Sequence, residues 1–150
     1  MCIRDRTMGF KTDYSRISIH AQKIILLRIA SYIVNCFRDP ETPPPSATQI
    51  ASELGITGQL VNHLLEDLVE EGLITETFNK ENDEAGYQPG IPPEILTVHK
   101  ILQVMEERGM TDIPMKENSD IRKIKKILGE LEKIVKESPE NIKIEDLSLE

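Results

Sequence analysis

Gln59, Asn62, His63 and Glu66 fall at three- and four-residue spacings, so on a helix they share one face. Amide and imidazole groups on such a face can hydrogen-bond the edges of nucleic-acid bases. Lys80 is the basic residue nearest to them downstream, in a stretch that reads as a loop. Duplex DNA, however, is held largely through its phosphates by Lys and Arg. The segment 59–71 has neither, and it carries Glu66, Asp67, Glu70 and Glu71. From Ser46 to Arg108, three basic residues (Lys80, Lys100 and Arg108) stand against twelve acidic ones. On that count nucleic acid is not expected as a partner, and the face reads as a surface for a protein partner or a second copy.

Other chemistry finds little support. His20, His63 and His99 lie on separate stretches, with no i, i+4 pair and no carboxylate or cysteine at ligand spacing. Cys2 and Cys36 form no CxxC pair. No G-x-S-x-G, Walker loop, H-E-x-x-H or dinucleotide fingerprint occurs. Adjacent carboxylates such as Glu66-Asp67 point about 100° apart on a helix, which suits a solvated face rather than an acid–base pair. No catalytic, cofactor-binding or metal residue is assigned, no cofactor is expected, and the chain is not read as an enzyme.

These residues need elements to hold them. Ser46 and Gln49 have the spacing of a capping box, opening a short helix with Ile50 and Leu54 on one side. Gly55 suits the left-handed residue that ends it, and Thr57 caps the next helix. That helix buries Leu60, Val61, Leu64, Leu65, Leu68 and Val69 on one stripe, which turns Gln59, Asn62, His63 and Glu66 outward. After Gly72, residues 73–78 alternate as a strand, a polar loop follows over 79–84, and a return strand lies around Tyr87. The expected fold is mostly α with a small two-stranded β wing: a winged helix-turn-helix flanked by long helices.

The flanks are equally patterned. Ser18 caps a helix to about Phe37 with Ile25, Leu26, Ile29, Ile33 and Phe37 in helical register. Pro40, Pro43, Pro44 and Pro45 make a stiff connector to the central motif. Thr97 caps a helix with Val98, Ile101, Leu102 and Met105 inward, closed by Gly109. Ser119 opens a charged helix to about Glu137, with Ile121, Ile124, Ile127, Leu128, Leu131, Ile134 and Val135 on its apolar side. The division is a disordered leader (1–13), a winged-helix domain (14–109), a linker with a docked or pairing helix (110–137), and a loose tail (138–150).

The totals agree with one compact unit. At 150 residues, 39% hydrophobic and 4% aromatic, the core must be Ile, Leu and Val, and a net charge of −8 favours solubility. No run approaches the roughly 20 apolar residues of a membrane-spanning helix, and no signal peptide is evident. Met1-Cys-Ile-Arg-Asp-Arg6 resembles a translated sequencing adapter, which implies that the natural chain continues upstream.

From Tyr14 to Asn141 the sequence resembles the carboxy-terminal cytosolic domain of YihY/BrkB bacterial membrane proteins, once labelled ribonuclease BN. The resemblance rests on the turn motif Ala47–Ile56, on Leu60–Leu65 leading to Gly72-Leu-Ile74, and on Tyr87-Gln-Pro89, Leu96-Thr-Val98 and Glu137-Ser-Pro139. It implies a non-catalytic, structural or protein-binding module on the cytoplasmic side of the inner membrane, its partner the missing transmembrane part of the same protein. The nuclease label finds no residues here to carry RNA processing. A second resemblance is to free-standing DNA-binding regulators of the iron–sulfur cluster repressor family, which Gly86-Tyr87 fits. The cysteines that hold the cluster in that family are missing.

Overall fold

A computed structural model describes residues 17–79, 83–109 and 114–147; the leader 1–13 lies outside them. Five helices and one two-stranded sheet are present among these residues: α1 (Ile19–Arg38), α2 (Ala47–Leu54), α3 (Gly58–Glu70), β1 (Ile74–Asn79), β2 (Glu84–Pro89), α4 (Val98–Glu106) and α5 (Ser119–Lys136). Single 3₁₀ turns lie at Pro93–Ile95 and Ile144–Asp146. The order is that of a winged helix-turn-helix with flanking helices.

The local signals act as their chemistry dictates. The Ser18 hydroxyl accepts the Ala21 N–H at 3.0 Å and starts α1. At α2 the capping box closes both ways: Ser46 Oγ accepts the Gln49 N–H at 3.3 Å, and Gln49 Oε1 accepts the Ser46 N–H at 2.9 Å. Gly55 takes φ +72°, a backbone state costly for a residue with a Cβ, so the chain turns directly into the Thr57 cap of α3. The cap of α5 is Asn118, one residue before the expected Ser119, and its Oδ1 accepts the Ile121 N–H at 2.9 Å.

The core gathers Leu26, Ile29, Ile33 and Val34 of α1, Ile50 of α2, the α3 stripe, Leu73, Ile74, Leu96 and Ile101. Phe37, expected on the buried side of α1, is half exposed, and Cys36 takes the inward position instead. The wing is an antiparallel pair in which Thr77 faces Gly86 and Glu76 faces Tyr87. Gly86 also bridges to Ser46, and a Cβ there would stand 2.8 Å from the Pro44 carbonyl oxygen. Only glycine lets the proline connector lie against β2, where the Tyr87 N–H donates to the Pro45 carbonyl at 3.0 Å.

Past α5 the chain returns to the body. The Val98 N–H donates to the Ile142 carbonyl at 2.9 Å, the Ile144 N–H to the Leu96 carbonyl at 2.8 Å, and Ile144 is fully buried. The described part of the expected loose tail is therefore docked, because Ile144 and Leu147 supply apolar surface to the core and the Ile142 carbonyl accepts from Val98. In contrast α5 stands away: Ile121 is half-buried, while Ile124, Ile127, Leu128, Leu131, Ile134 and Val135 are 49–66% exposed.

The turn after α1 carries a pH-sensitive contact. Asp39 Oδ2 accepts from the Thr42 hydroxyl at 2.6 Å and Oδ1 from the Glu41 N–H at 3.1 Å. These bonds, the Thr42 one foremost, hold its carboxyl below the ordinary carboxylate range. A depressed folded value means the turn's contribution is complete above the unfolded carboxylate pKa and is lost as pH falls through the folded one. Thr42→Val should move the Asp39 titration upward, read by carboxyl-carbon NMR.

Candidate nucleic-acid interface

Burial decides which side of α3 is offered to a partner. Leu60, Val61, Leu64, Leu65 and Leu68 are turned into the core, and α2 is packed behind them through Ile50. The remaining face is therefore external, and Gly58, Gln59, Asn62, His63 and Glu66 line an open depression of about 560 Å³ along it. The four candidates expected on this helix are thus brought together on one surface; Lys80 lies outside the described residues. The Thr57 hydroxyl accepts the Leu60 N–H at 3.2 Å, fixing the amino end of the helix.

The wing is seated against the same helix. Tyr87 and Glu76 of the wing meet Leu65, Glu66, Val69 and Glu70 around a small cavity of about 140 Å³. Burial, with the Glu76 carboxylate beside it, pushes the Tyr87 hydroxyl above its ordinary pKa, so it stays a neutral hydrogen-bonding group.

Arg108, just beyond α4, was not singled out by sequence reasoning, and it rearranges the charge of α3. Its Nη2 lies 3.2 Å from Asp67 Oδ1 and 2.9 Å from Glu70 Oε1, and its Nη1 3.0 Å from Glu71 Oε2. Nη1 also donates to the Asp67 carbonyl at 3.3 Å, satisfying part of the helix end. The hydrogen bond to Glu70 leads the causes that raise the guanidinium above its ordinary pKa. Its partners lie 37–41 residues upstream, a separation no local pattern reveals.

That grouping bears on the acidic count behind the expectation that nucleic acid is not a partner. The acidic count treated 46–108 as one surface, but Asp67, Glu70 and Glu71 are drawn together around a cation at the carboxyl end of α3. The outward face at its amino end presents the amides of Gln59 and Asn62 and the His63 imidazole, with Glu66 as its acidic member. Glu76 and Glu84 of the wing act on Tyr87 together with Glu66, so acidic neighbours remain beside this face. If Arg108→Ala is made, the uncovered carboxylates should weaken duplex binding at low salt, with the deficit shrinking as salt rises; fluorescence anisotropy across a salt series reads this.

Among the described residues no three His, Cys, Asp or Glu side chains gather as ligands. The donors for an iron–sulfur centre do not fit either, since Cys36 is buried within α1 and the second cysteine, Cys2, lies outside the described residues.

No family model and no curated protein matches the chain. Solved structures do match in fold. CymR, the global cysteine regulator of B. subtilis, is 20% identical, with a TM-score of 0.53 over 87% of this chain and 94% of that one. IscR of T. potens is 16% identical, with a TM-score of 0.53 over 87% and 84%. The oxidized form of Staphylococcus aureus CymR is 14% identical, with a TM-score of 0.55 over 89% and 99%.

At such identities the likeness establishes the fold alone, a fold found in a protein named as a global regulator, which removes the ground for excluding nucleic acid as a partner. The YihY/BrkB assignment, with its membrane-module function and its missing transmembrane partner, is corrected by it. The shared architecture runs over nearly the whole length of the regulator chains, flanking helices included, and among the described residues no helix is long and apolar enough to cross a membrane. The physical reason for the misassignment is that Ala47–Ile56 and Leu60–Leu65 meet the packing needs of any helix-turn-helix. They report a fold, not a family.

Proposed function

We propose that the chain is a DNA-binding transcriptional regulator that acts as a homodimer. The observation that carries this reading is the polar face at the amino end of α3, held outward by the helix-turn-helix, with Asp67, Glu70 and Glu71 gathered around Arg108 at the other end of the helix. Gln59 and Asn62 serve as amide readers of base edges, His63 as a further donor or acceptor, and Glu66 as an acceptor for cytosine amino groups. Lys80, which falls between β1 and β2 in the sequence, supplies a phosphate contact.

Pairing uses α5. Its apolar stripe is uncovered along most of its length, a cost that a second copy removes. Residues 119–128 hold four basic and one acidic side chain, and residues 129–137 three acidic and two basic. Antiparallel pairing sets the basic half of one helix over the acidic half of the other, while parallel pairing would set like charge on like. A dimer also gives one assembly two α3 helices, which a two-half-site duplex requires.

The test is selection of binding sites from a random duplex pool at low salt by the full chain. Enrichment of a two-fold symmetric sequence is expected; a pool that stays random refutes the reading. On the selected site, Gln59→Ala and Asn62→Ala should each cost about 1–3 kcal/mol and relax the preference at one position of each half-site.

A further inference from the structure

Seven apolar residues of α5 fall between positions 121 and 135, about two heptads, whereas a helix pair that stands alone shows about three or four. Two α5 helices therefore need a further contact to hold together. The stripe itself leads to one. Ile134 and Val135, 66% and 50% exposed, also line an open hollow of about 280 Å³, whose other walls include Val98 and His99 of α4 and Ser138 and Glu140 of the returning tail. Asn141 fixes these walls: its Oδ1 accepts the His99 N–H at 2.7 Å, and its Nδ2 donates to the Lys136 carbonyl at 2.8 Å. The hollow is thus preformed and continuous with the uncovered stripe.

Its chemistry selects an occupant. Val98, Ile134 and Val135 ask for an apolar side chain, and no lysine or arginine lines the hollow. Glu140 stands in the lining, and Glu132 lies beside His99, its Oε2 3.6 Å from Nε2. An apolar segment flanked by positive charge complements that arrangement. The amino end of α5 has this make-up, with Ile121 and Ile124 among Arg122, Lys123, Lys125 and Lys126. Within one chain that end cannot reach the hollow, because thirteen residues of helix hold Ile121 about 20 Å from Ile134. A second copy running antiparallel brings it there. Setting Ile127 of one helix level with Leu128 of the other also puts Ile124 level with Leu131 and Ile121 level with Ile134. In the same register Lys123 and Lys125 of one copy fall within a turn of Glu130 and Glu132 of the other.

We propose that the hollow is the socket for the amino-terminal turns of a second copy's α5, with Ile121 seated against Val98, Ile134 and Val135 and Lys125 beside Glu132. The socket rests on the antiparallel α5 pairing given above and extends that interface from α5 onto α4 and the tail. Each body is then clamped to the other copy's helix, which sets the separation of the two α3 helices.

Cross-linking of the full chain with a short bismaleimide tests it, in a Cys2→Ser background where the remaining cysteine, Cys36, is buried. Ile127→Cys reports the middle of the helix pair. A mixture of Val98→Cys chains with Ile121→Cys chains reports the socket, since neither chain alone carries both thiols. Cross-linked Ile127→Cys dimers are expected, together with a covalent heterodimer in the mixture that exceeds the product of either single variant. Cross-linking of Ile127→Cys without the heterodimer overturns the socket and leaves the pairing standing; absence of both products overturns the two together. Val98→Asp, at a half-buried position outside α5, should raise the dimer dissociation constant about tenfold or more, because it sets a carboxylate in the apolar socket near Glu140. Analytical ultracentrifugation reads that change and circular dichroism the fold. A dissociation constant unmoved in a folded Val98→Asp chain also overturns the proposal, and the cross-link decides if that variant does not fold.

Discussion

Leu128→Glu should turn the proposed α5-paired dimer into a monomer at micromolar concentration, with the fold of each chain unchanged. Leu128 lies at the middle of the α5 stripe and is 60% exposed in the single chain, so the substitution leaves the core untouched. In a two-fold antiparallel pair, the residue near the axis meets its own copy or a close neighbour. Two carboxylates would then enter an apolar seam, losing hydration with no counter-charge. Analytical ultracentrifugation reads the mass, and circular dichroism should show undiminished helix. On a two-half-site duplex the monomer should bind about 10²–10⁴-fold more weakly, because the second half-site no longer benefits from linkage to the first. A variant that remains a dimer would show that another surface pairs the chains.

Ile144→Ala should lower stability by about 2–5 kcal/mol, the range for truncating a buried aliphatic side chain to a cavity. The size of this effect separates a docked tail from a loose one, since exposed tail positions change stability by about 0.5 kcal/mol or less. Ile144 is fully buried, and its N–H donates to the Leu96 carbonyl at 2.8 Å. The neighbouring Arg38 Nη1 donates to the Glu145 carbonyl at 3.1 Å, tying the tail to the end of α1. Urea unfolding gives the free energy. Hydrogen exchange at the Ile144 and Val98 amides should accelerate together, since both bond across the same seam.

The Ile144 result bears on how far local pattern reaches. The winged-helix elements were readable because their signals are short-range: Ser46 with Gln49, Gly55 with Thr57, and the three-four stripe from Leu60 to Leu68 act within one or two turns. The tail was not readable as docked. Ile144 and Leu147 form too brief a run to announce a partner, and that partner, Leu96, lies far upstream.

The candidate site divides in the same way. Pattern along the chain is enough to put Gln59, Asn62, His63 and Glu66 on one face, since helical period and the burial of the opposite stripe leave them no other place. It is also enough to outline a small two-stranded wing and to show that the common catalytic and metal fingerprints do not occur in the sequence. The electrostatics needed the folded chain. One guanidinium, Arg108, gathers Asp67, Glu70 and Glu71 at the far end of α3 and leaves Glu66 as the acidic member of the outward face. Folding likewise placed His99 against Glu132 and left the α5 stripe uncovered. The reason is one of range: caps, turns and periodicity are set by neighbours along the chain, whereas charge and burial depend on groups that folding brings together from distant positions.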